Sequence, residues 1–574
     1  MKRKSRSVLA CLLAATLLLG LLSACGTTPP VASASSTPSA SASASATATP
    51  EASQPSEDPI KWTGTISVAG YMFGPLDKSL DVVGPGIEKG LQKYGYDITL
   101  EHVYIEYPQY VELMNTRIAA GNAPDIFLSM SLGNMREYYA QGAIKSWTKE
   151  FWQEKAPNLY AYLTGGGAQK DTQFTDMWWS MSEAPDDKSK MITIAGFNEL
   201  GSLPYKDVVY RADWLEKLGV TEDKLPYTIE EFTDLMYRFA KEDPDGNGKN
   251  DTYGLSASTI RAIFGAYGNY NGFVGSDSIW MEVDGKLVDT NTMASNKEAL
   301  ALLQKMYKDK VLDPEFVTGE NQGGYWAIPQ PFINGRFGVT CLGSIGHYRY
   351  PEVLGDEGGP VFKEYRAVNG PESTVTYGPW PAGPTGDYGY LTGVKPAVGE
   401  NAVYNSAMDD EKLGVILNIM DIFNQDLDLG MLSSYGEKGK TYEANADGTY
   451  KLLFDNVGMN AYGVWAYRSI TGANSPYHPE LQLASLKNGD VVNRMNIHKG
   501  KQRNSYYINE LYDTLPSDAD VKANLKTYRD ETWISIIKGD LPVDHWDTFL
   551  AEYNKRGGDI QTKEANEWWA KVKK

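Results

Sequence analysis

One Asp/Asn/Gly loop has the residue types and spacing of a binding site for a hard cation. Side-chain oxygens stand at positions 1, 3, 5 and 9 of an EF-hand-like loop, supplied by Asp243, Asp245, Asn247 and Asp251. Ca²⁺ takes six to eight oxygen ligands at about 2.4 Å, and a tight loop with alternating donors can surround it. The carbonyl of Lys249 falls at position 7, whereas position 12, a bidentate glutamate in an EF-hand, is Gly254. The pattern predicts a structural calcium ion rather than a regulatory switch; the alternative is a solvated turn that binds no metal.

Aromatic side chains are the second group that could carry function, because they make up 12% of the chain. Sugars present apolar C–H faces and polar edges, so sugar sites combine aromatic platforms with polar side chains. The alternative for each aromatic residue is core packing, and of two adjacent tryptophans we expect one to face the core and the other to face outward. We expect ligand contact from Trp178, Trp179, Trp326, Trp380, Tyr388 and Tyr435.

Catalytic constellations are missing from the sequence. The five histidines lack HxxxH spacing, and there is no GxSxG elbow, no Walker loop and no GxGxxG after a strand. Glycoside hydrolysis needs two carboxylates about 5 to 10 Å apart, and nothing singles out such a pair. We therefore expect a protein that is not an enzyme.

The elements that must position these residues begin with alternating strands and helices. Residues 65–71, 98–105 and 125–130 have strand patterns, and helical stretches separate them. This order predicts a mostly parallel sheet with helices on both faces. Because ligands bind beyond the carboxyl ends of parallel strands, we expect Tyr71 and Ser129 to contact a ligand, with loop packing as the alternative.

The N-terminus has the features of a secretory signal. Basic residues within 2–6 precede a largely apolar run, 8–22, which is short for a membrane-spanning helix. Leu22-Ser23-Ala24-Cys25 resembles the bacterial lipobox, which implies a signal peptide over residues 1–24 and lipidation of Cys25 by a palmitate-like chain; an ordinary signal with an incidental cysteine is the alternative. Residues 25–58, rich in Ser, Ala, Thr and Pro, predict a disordered tether.

Composition excludes several classes of partner. The chain has 574 residues with 54 basic and 73 acidic side chains, a net charge of −19 that becomes −23 without the four basic residues of the leader. Such a surface repels phosphates, so we expect no nucleic-acid partner, and membrane contact through the lipid anchor only. Three cysteines, Cys11, Cys25 and Cys341, exclude a disulfide framework and a cysteine-based zinc site.

Several motifs, taken in order, resemble the extracellular solute-binding proteins of the family-1 type, which are receptors of ATP-driven (ABC) importers. Residues 115–127 are similar to the family's helix–turn–strand signature, and 210–219 and 228–232 to its next two helices. The last of these has a capping box, Thr228 with Glu231, followed by an apolar stripe. Residues 434–442 and 539–547 resemble a turn and the closing helices of the large lipoprotein members.

The resemblance implies an α/β, two-lobe periplasmic-binding-protein-like fold with a hinge between the lobes. The chain would cross between the lobes several times, so each lobe would be built from two segments. The expected lobes are 60–207 plus 391–455 for the first and 208–390 plus 456–574 for the second.

The resemblance also implies function. We expect a monomeric receptor on the extracellular face of the cytoplasmic membrane that captures an oligosaccharide between its lobes and delivers it to ABC permease subunits. The Asp243 loop looks like the structural calcium loop of alginate-binding proteins, although Thr252 stands where some of those have an acidic residue. The alternatives are a receptor for peptides or other solutes, a module that signals to a membrane sensor, and, least favoured, a secreted glycan-degrading enzyme.

Overall fold

The computed structural model describes the chain from residue 61 onward, with gaps. No helix in the described part is long and apolar enough to cross a membrane. The described residues are 61–164, 178–195, 208–270, 278–318, 329–343, 345–351, 358–389, 401–446, 450–453, 460–471, 511 and 513–572.

Strands are short and distributed along the whole chain. They are β1 (Trp62–Ala69), β2 (Tyr71–Met72), β3 (Tyr96–His102), β4 (Ile105–Glu106), β5 (Ile126–Ser129), β6 (Trp147–Thr148), β7 (Lys190–Met191), β8 (Val208–Arg211), β9 (Trp280–Val283), β10 (Lys286–Asp289), β11 (Val339–Thr340), β12 (Val375–Gly378), β13 (Asn401–Tyr404), β14 (Tyr442–Ala444) and β15 (Tyr450–Leu452).

Helices lie between the strands and form the C-terminal part of the chain. They are α1 (Val83–Gln92), α2 (Tyr110–Ala119), α3 (Leu132–Ala140), α4 (Lys149–Lys155), α5 (Pro157–Thr164), α6 (Ala212–Lys217), α7 (Ile229–Lys241), α8 (Ile260–Ala266), α9 (Asn296–Lys308), α10 (Gln330–Ile333), α11 (Pro360–Asn369), α12 (Asp410–Gln425), α13 (Leu427–Tyr435), α14 (Asp518–Lys538), α15 (Trp546–Tyr553) and α16 (Asp559–Val572).

The first core surrounds a four-stranded sheet in the order β13-β5-β1-β3. β1 pairs in parallel with β3 and β5, as the strand–helix alternation predicts, and β13 joins the edge in the antiparallel direction. Asp125, just before β5, fixes this arrangement. Its carboxylate accepts hydrogen bonds from the Ser67 backbone (2.8 Å) on β1 and from Lys412 Nζ (2.6 Å) on α12. The aspartate of the 115–127 motif is therefore structural.

The second core contains a three-stranded antiparallel sheet in the order β11-β8-β12, with helices packed against it. α7 begins with the predicted capping box, in which Thr228 Oγ1 accepts the Glu231 N–H and the Glu231 carboxylate accepts the Thr228 N–H. The predicted apolar stripe of α7 is buried here, at Ile229, Phe232, Leu235, Met236 and Phe239. α14 and α15 complete this core.

The segment 460–471 packs differently from the sequence-based division of the lobes. That division placed it in the second lobe, but Val464, Ala466, Tyr467 and Ile470 are buried in the first core. The Asp77 N–H donates to the Ala461 carbonyl, so the segment also bonds to the loop after β2. We therefore define the first lobe as the residues packed around the first core, and the second lobe as those packed around the second core together with α16.

Candidate functional site

An aromatic cluster lies at the carboxyl end of β1, where a parallel sheet presents its ligand site. Tyr71 is its centre and is nearly buried, 5% exposed, with its ring edge-on to Phe73 (5.4 Å), Tyr107 (5.0 Å) and Tyr110 (6.1 Å). Trp465 packs against the same group, 6.0 Å from Tyr71 and 5.4 Å from Phe73. Phe73, Tyr107 and Trp465 are only half-buried. The cluster thus combines a fixed centre with accessible aromatic surface.

Arg468 supports the cluster from inside the lobe. Its guanidinium lies 4.4 Å from the Trp465 ring and 5.0 Å from the Tyr71 ring, and Nη1 donates to the Tyr71 hydroxyl at 2.9 Å. The side chain is 6% exposed. Such cation–π contacts gain strength when the cation is shielded from water. Arg468 therefore holds two rings of the cluster in fixed positions.

The segment that supplies Trp465 and Arg468 is tied to the loop after β2 by hydrogen bonds. Asn460 Oδ1 accepts the Phe73 N–H at 2.9 Å, and the Tyr467 hydroxyl donates to Asp81 Oδ2 at 2.8 Å. These hydrogen bonds place Trp465, which is far from β1 in the sequence, in the aromatic cluster at the end of β1.

Ser129, the other predicted contact at the strand ends, is fully buried. Its hydroxyl donates to the Asn401 carbonyl on β13 at 3.3 Å, and the two residues are cross-strand partners. Its place is in the sheet, at the junction between the parallel strands and the antiparallel edge.

The two adjacent tryptophans divide as their sequence suggests. Trp178 is 0% exposed, and its indole N–H donates to the Ala195 carbonyl at 2.9 Å. Trp179 is half-buried, and Lys149 Nζ lies 4.4 Å from its ring. Trp178 is therefore a packing residue of the first core. Trp179 keeps part of its aromatic face accessible.

On the second lobe, Trp380 and Tyr388 flank one turn. Trp380 is buried in the second core, whereas Tyr388 is half-buried against it. The turn is fixed by the Gly383 N–H donating to the Asp387 carbonyl at 2.9 Å and by the Tyr270 hydroxyl donating to Asp387 Oδ1 at 2.7 Å. Tyr388 is therefore an aromatic side chain held on a rigid support.

Tyr435, another predicted aromatic contact, belongs to a different cluster. Tyr435 is 8% exposed in a small cluster with Tyr442 and Tyr450, and it stacks on Tyr450 with 6.2 Å between ring centroids. This cluster is separate from the first core's aromatic group. Trp326 lies outside the described residues.

The Asp243 loop is exposed and closed by its own hydrogen bonds. Asp243 carboxylate oxygens accept the N–H groups of Asn247 (3.1 Å) and Gly248 (3.0 Å), and the Asn247 amide bridges Asp245 (2.7 Å) and Asp251 (3.0 Å). The Lys249 N–H donates to Asn247 Oδ1 at 2.8 Å. Side-chain oxygens from positions 1, 3, 5 and 9 are therefore neighbours in space.

The charges of this loop interact with each other. Partial burial raises the pKa of Asp245, and the carboxylates of Asp243 and Asp251 raise it further, outweighing the Asn247 hydrogen bond. For Asp243, burial raises the pKa, but the hydrogen bond from the Gly248 N–H, the hydrogen bond with Asp245 and the positive charge of Lys217 lower the pKa on balance. Hard oxygen donors crowded in this way fit a divalent cation chemically. Within the described ranges, however, no group of three or more His, Cys, Asp and Glu side chains is arranged to hold a metal.

Sequence reasoning missed most of the aromatic cluster. Tyr107 had a usable signal, because it follows β4 as Phe73 follows β2, and these two short strands pair in parallel. Trp465 and Arg468 had none, since their contacts join residues almost 400 positions apart.

Two curated relatives are similar to part of this chain. The lipoprotein LipO of Bacillus subtilis (strain 168) is 24% identical over 303 residues, which is 49% of this chain and 52% of LipO. The polygalacturonan/rhamnogalacturonan-binding protein YtcQ of the same organism is 22% identical over 379 residues, 65% of this chain and 69% of YtcQ. The chain thus spans about half to two thirds of these relatives. No family model matches it.

Solved structures share the fold over nearly their whole length. FusA of S. pneumoniae, an ABC-transporter substrate-binding protein in complex with kestose, has a TM-score of 0.61 at 17% identity, covering 89% of this chain and 99% of FusA. An HMO-binding, ABC-transporter-associated solute-binding protein from Bifidobacterium longum infantis has a TM-score of 0.61 at 14% identity, covering 88% and 98%. The predicted α/β two-lobe fold is confirmed by this likeness.

Two further structures bear on the predicted ion. FusA has also been solved as an EF-hand mutant in complex with fructo-nystose, with a TM-score of 0.61 at 17% identity and coverage of 89% and 99%. The alginate-binding protein AlgQ2, solved without calcium ion, has a TM-score of 0.55 at 14% identity and coverage of 91% and 100%. Proteins of this fold have thus been studied with respect to calcium.

Proposed function

We propose that this protein is the solute-binding receptor of an ABC importer, which captures an oligosaccharide between its lobes and delivers it to permease subunits. The observation that carries the proposal is the aromatic cluster at the carboxyl end of β1, where Phe73, Tyr107 and Trp465 keep part of their surface accessible. Flat aromatic faces bind the apolar C–H faces of sugar rings. The relative YtcQ and the fold neighbours that bind sugars support the same ligand class.

The second lobe contributes to the same proposal through Tyr388, on its rigid turn, and the first lobe adds Trp179. Both present half-buried rings. The buried side chains of Tyr71, Trp178 and Trp380 then support ligand-contacting neighbours. Ligand contacts to both lobes would favour the closed arrangement, because a ligand shifts a conformational equilibrium by its differential affinity. In this proposal the receptor is a monomer, and it binds the ligand without breaking any covalent bond.

The test is a binding screen with fructo-, milk-type, galacturonan and alginate oligosaccharides, read by thermal shift and then by calorimetry. We expect one class to bind saturably, and Trp465→Ala to weaken it about tenfold, the effect of losing roughly 1.4 kcal/mol of ring contact. Trp62→Ala is the matched control, because Trp62 is also half-buried but lies at the opposite end of β1.

Three outcomes would replace the proposal. If every glycan fails and a peptide stabilises the protein, the ligand class is wrong. If deleting the gene leaves solute uptake intact although the protein binds a sugar, the protein is a sensing module. If the protein releases reducing ends from the glycans, it is a degrading enzyme.

We further propose that Cys25 is lipidated and holds the receptor at the extracellular face of the cytoplasmic membrane. The lipobox-like sequence and the lipoprotein relative support this. We expect labelled palmitate to enter the wild-type chain and the Cys341→Ala variant, in which a buried cysteine is lost, but not Cys25→Ala. Equal labelling of all three chains would contradict the anchor.

Calcium at the Asp243 loop is the remaining proposal. Asp243, Asp245, Asn247 and Asp251 would supply side-chain oxygens and Lys249 its carbonyl, and the ion would stabilise the loop by neutralising its carboxylates. On chelator-stripped protein, calorimetry should detect calcium binding and a higher melting temperature. Asp245→Ala should lose both effects, whereas Asn250→Ala, at position 8 of the same loop, should keep them. A wild-type protein without calcium-dependent heat would refute the site.

A further inference from the structure

An ion pair joins the first lobe to the C-terminal part of the second. Arg136, on α3, bonds through Nη1 to the Asp513 carboxylate and to Thr514 Oγ1 at 3.3 Å, and its Nη2 donates to the Ser180 carbonyl at 3.4 Å. The Arg136 side chain is 10% exposed and that of Asp513 24%. Charge-assisted hydrogen bonds with so little exposure are stronger than pairs on an open surface.

Asp513 is fixed to the second lobe. Trp568 on α16 donates its indole N–H to Asp513 Oδ2 at 3.2 Å. Four residues further along, the Ser517 N–H and hydroxyl donate to Glu564 on α16 at 3.0 and 2.7 Å. Leu515 lies between these two anchors, in an apolar cluster with residues of β9, β10 and α16. The carboxylate that Arg136 meets therefore moves with α16.

Trp568 adds an apolar contact to the ionic one. Its ring is half-buried, packs against both the first core and the apolar cluster that contains Leu515, and stacks on Trp569 with 6.0 Å between centroids. Arg136 belongs to the first lobe, because α3 begins directly after β5 of the first lobe's sheet. The three side chains thus connect the two lobes.

We infer that Arg136, Asp513 and Trp568 form an interlobe clasp, which stabilises the arrangement in which the lobes lie together even without ligand. N–H···O hydrogen bonds form at donor–acceptor distances of about 2.7 to 3.2 Å, so a rotation that moves α3 away from α16 by more than about 1 Å removes the hydrogen bonds of the clasp. The clasp therefore stabilises only the arrangement in which the lobes lie together, and it raises the population of that arrangement relative to the separated one. This inference rests on the two-lobe fold and is independent of which solute is bound.

The test measures the distance between the lobes in the ligand-free full chain by two-label fluorescence transfer. Labels are attached to Glu112→Cys on α2 and Glu216→Cys on α6, both exposed positions. Cys11 and Cys25 are changed to Ser, and Cys341 is kept because it is buried.

Arg136→Met is the perturbation. We expect it to change the ratio of the near to the separated arrangement about tenfold toward separation, the effect of losing one charge-assisted pair. Lys412→Met is the matched control, because it removes a comparable ion pair, 23% and 18% exposed, that lies entirely within the first lobe. The control should keep the wild-type ratio.

Charge reversal provides the decisive arm. Arg136→Asp should separate the lobes, and adding Asp513→Arg should move the ratio back toward the wild-type value, which a loss of local stability alone would not do. The return is incomplete because arginine cannot accept the Trp568 N–H. If Arg136→Met does not fold, Asp513→Asn replaces it, since it keeps the shape and removes the charge. A wild-type ratio in the folded variants, or an equal shift in Lys412→Met, would overturn the clasp. Failure of all glycans to bind would leave this result unaffected.

Discussion

Lowering the pH from 7 to 5 should cost this protein about 2 kcal/mol of unfolding free energy through one side chain, His102. The imidazole lies at the end of β3, edge-on to the Tyr467 ring at 5.9 Å, and its Nε2 has no hydrogen-bond partner in the described part of the chain. Burial lowers the pKa of His102 to about 4. The folded protein therefore keeps this histidine neutral under conditions in which a solvated histidine is protonated.

The sign and size follow from the two pKa values. An unfolded histidine titrates near pH 6.5, so between about pH 6.5 and 4 the unfolded chain binds a proton that the folded chain does not. Protonation then stabilises the unfolded state, and folding stability falls as the pH falls through this window. The loss is about 2 kcal/mol at pH 5 and approaches about 3 kcal/mol below pH 4, where it levels off.

The assay is urea unfolding at pH 7, 6 and 5 for the wild-type protein, His102→Gln and His545→Gln. Relative to the wild type, the unfolding free energy of His102→Gln should rise by about 2 kcal/mol when the pH is lowered from 7 to 5, because glutamine takes up no proton. His545→Gln controls for the removal of any imidazole. An unchanged acid slope in His102→Gln would refute the reasoning.

Three further substitutions and one control test the packing. Thr228→Ala should lower unfolding free energy by about 1 kcal/mol in urea titrations, because α7 loses its N-cap. Gly383→Ala should cost about 2 kcal/mol or more, since a methyl group there would overlap the Ala266 carbonyl, whereas Gly133→Ala, exposed within α3, should be neutral or stabilising. Asp125→Ala should cost about 2 kcal/mol by leaving its partners on β1 and α12 unpaired; equal stability to wild type would contradict its structural role.

Short-range sequence patterns predicted the helices and strands whose formation depends on residues close together in the chain. The capping box and apolar stripe of α7 lie within one short stretch of chain, and the order of β1, α1, β3, α2 and β5 specifies a parallel sheet through short connections. The boundaries shifted by a few residues, as at β1, where Tyr71 belongs to a separate short strand. Elements with consistent short-range signals were therefore predictable.

Features that depend on distant residues were not predictable. The antiparallel edge strand β13 joins the first sheet from residue 401 onward, and no short-range pattern specifies its partner. Trp465 reaches Tyr71 only because the segment around Asn460 bonds to the loop after β2. Side-chain exposure was predictable only in part. The sequence indicated that one of Trp178 and Trp179 would be buried but not which one, and Ser129 has the residue type of a site but is buried by its contact with β13.

Gly254, at position 12 of the Asp243 loop, sets a limit on how this protein can evolve. Its N–H donates to the Val311 carbonyl at 2.8 Å, and a Cβ added at this position would overlap the Met236 backbone on α7, so that any side chain would collide with main-chain atoms. A glutamate at this position is the residue with which an EF-hand couples ion binding to helix movement. No single substitution here can add that coupling without opening the junction between the loop and α7. Descendants of this sequence can gain or lose affinity for an ion at the loop, but a one-step route to an ion-driven switch is closed.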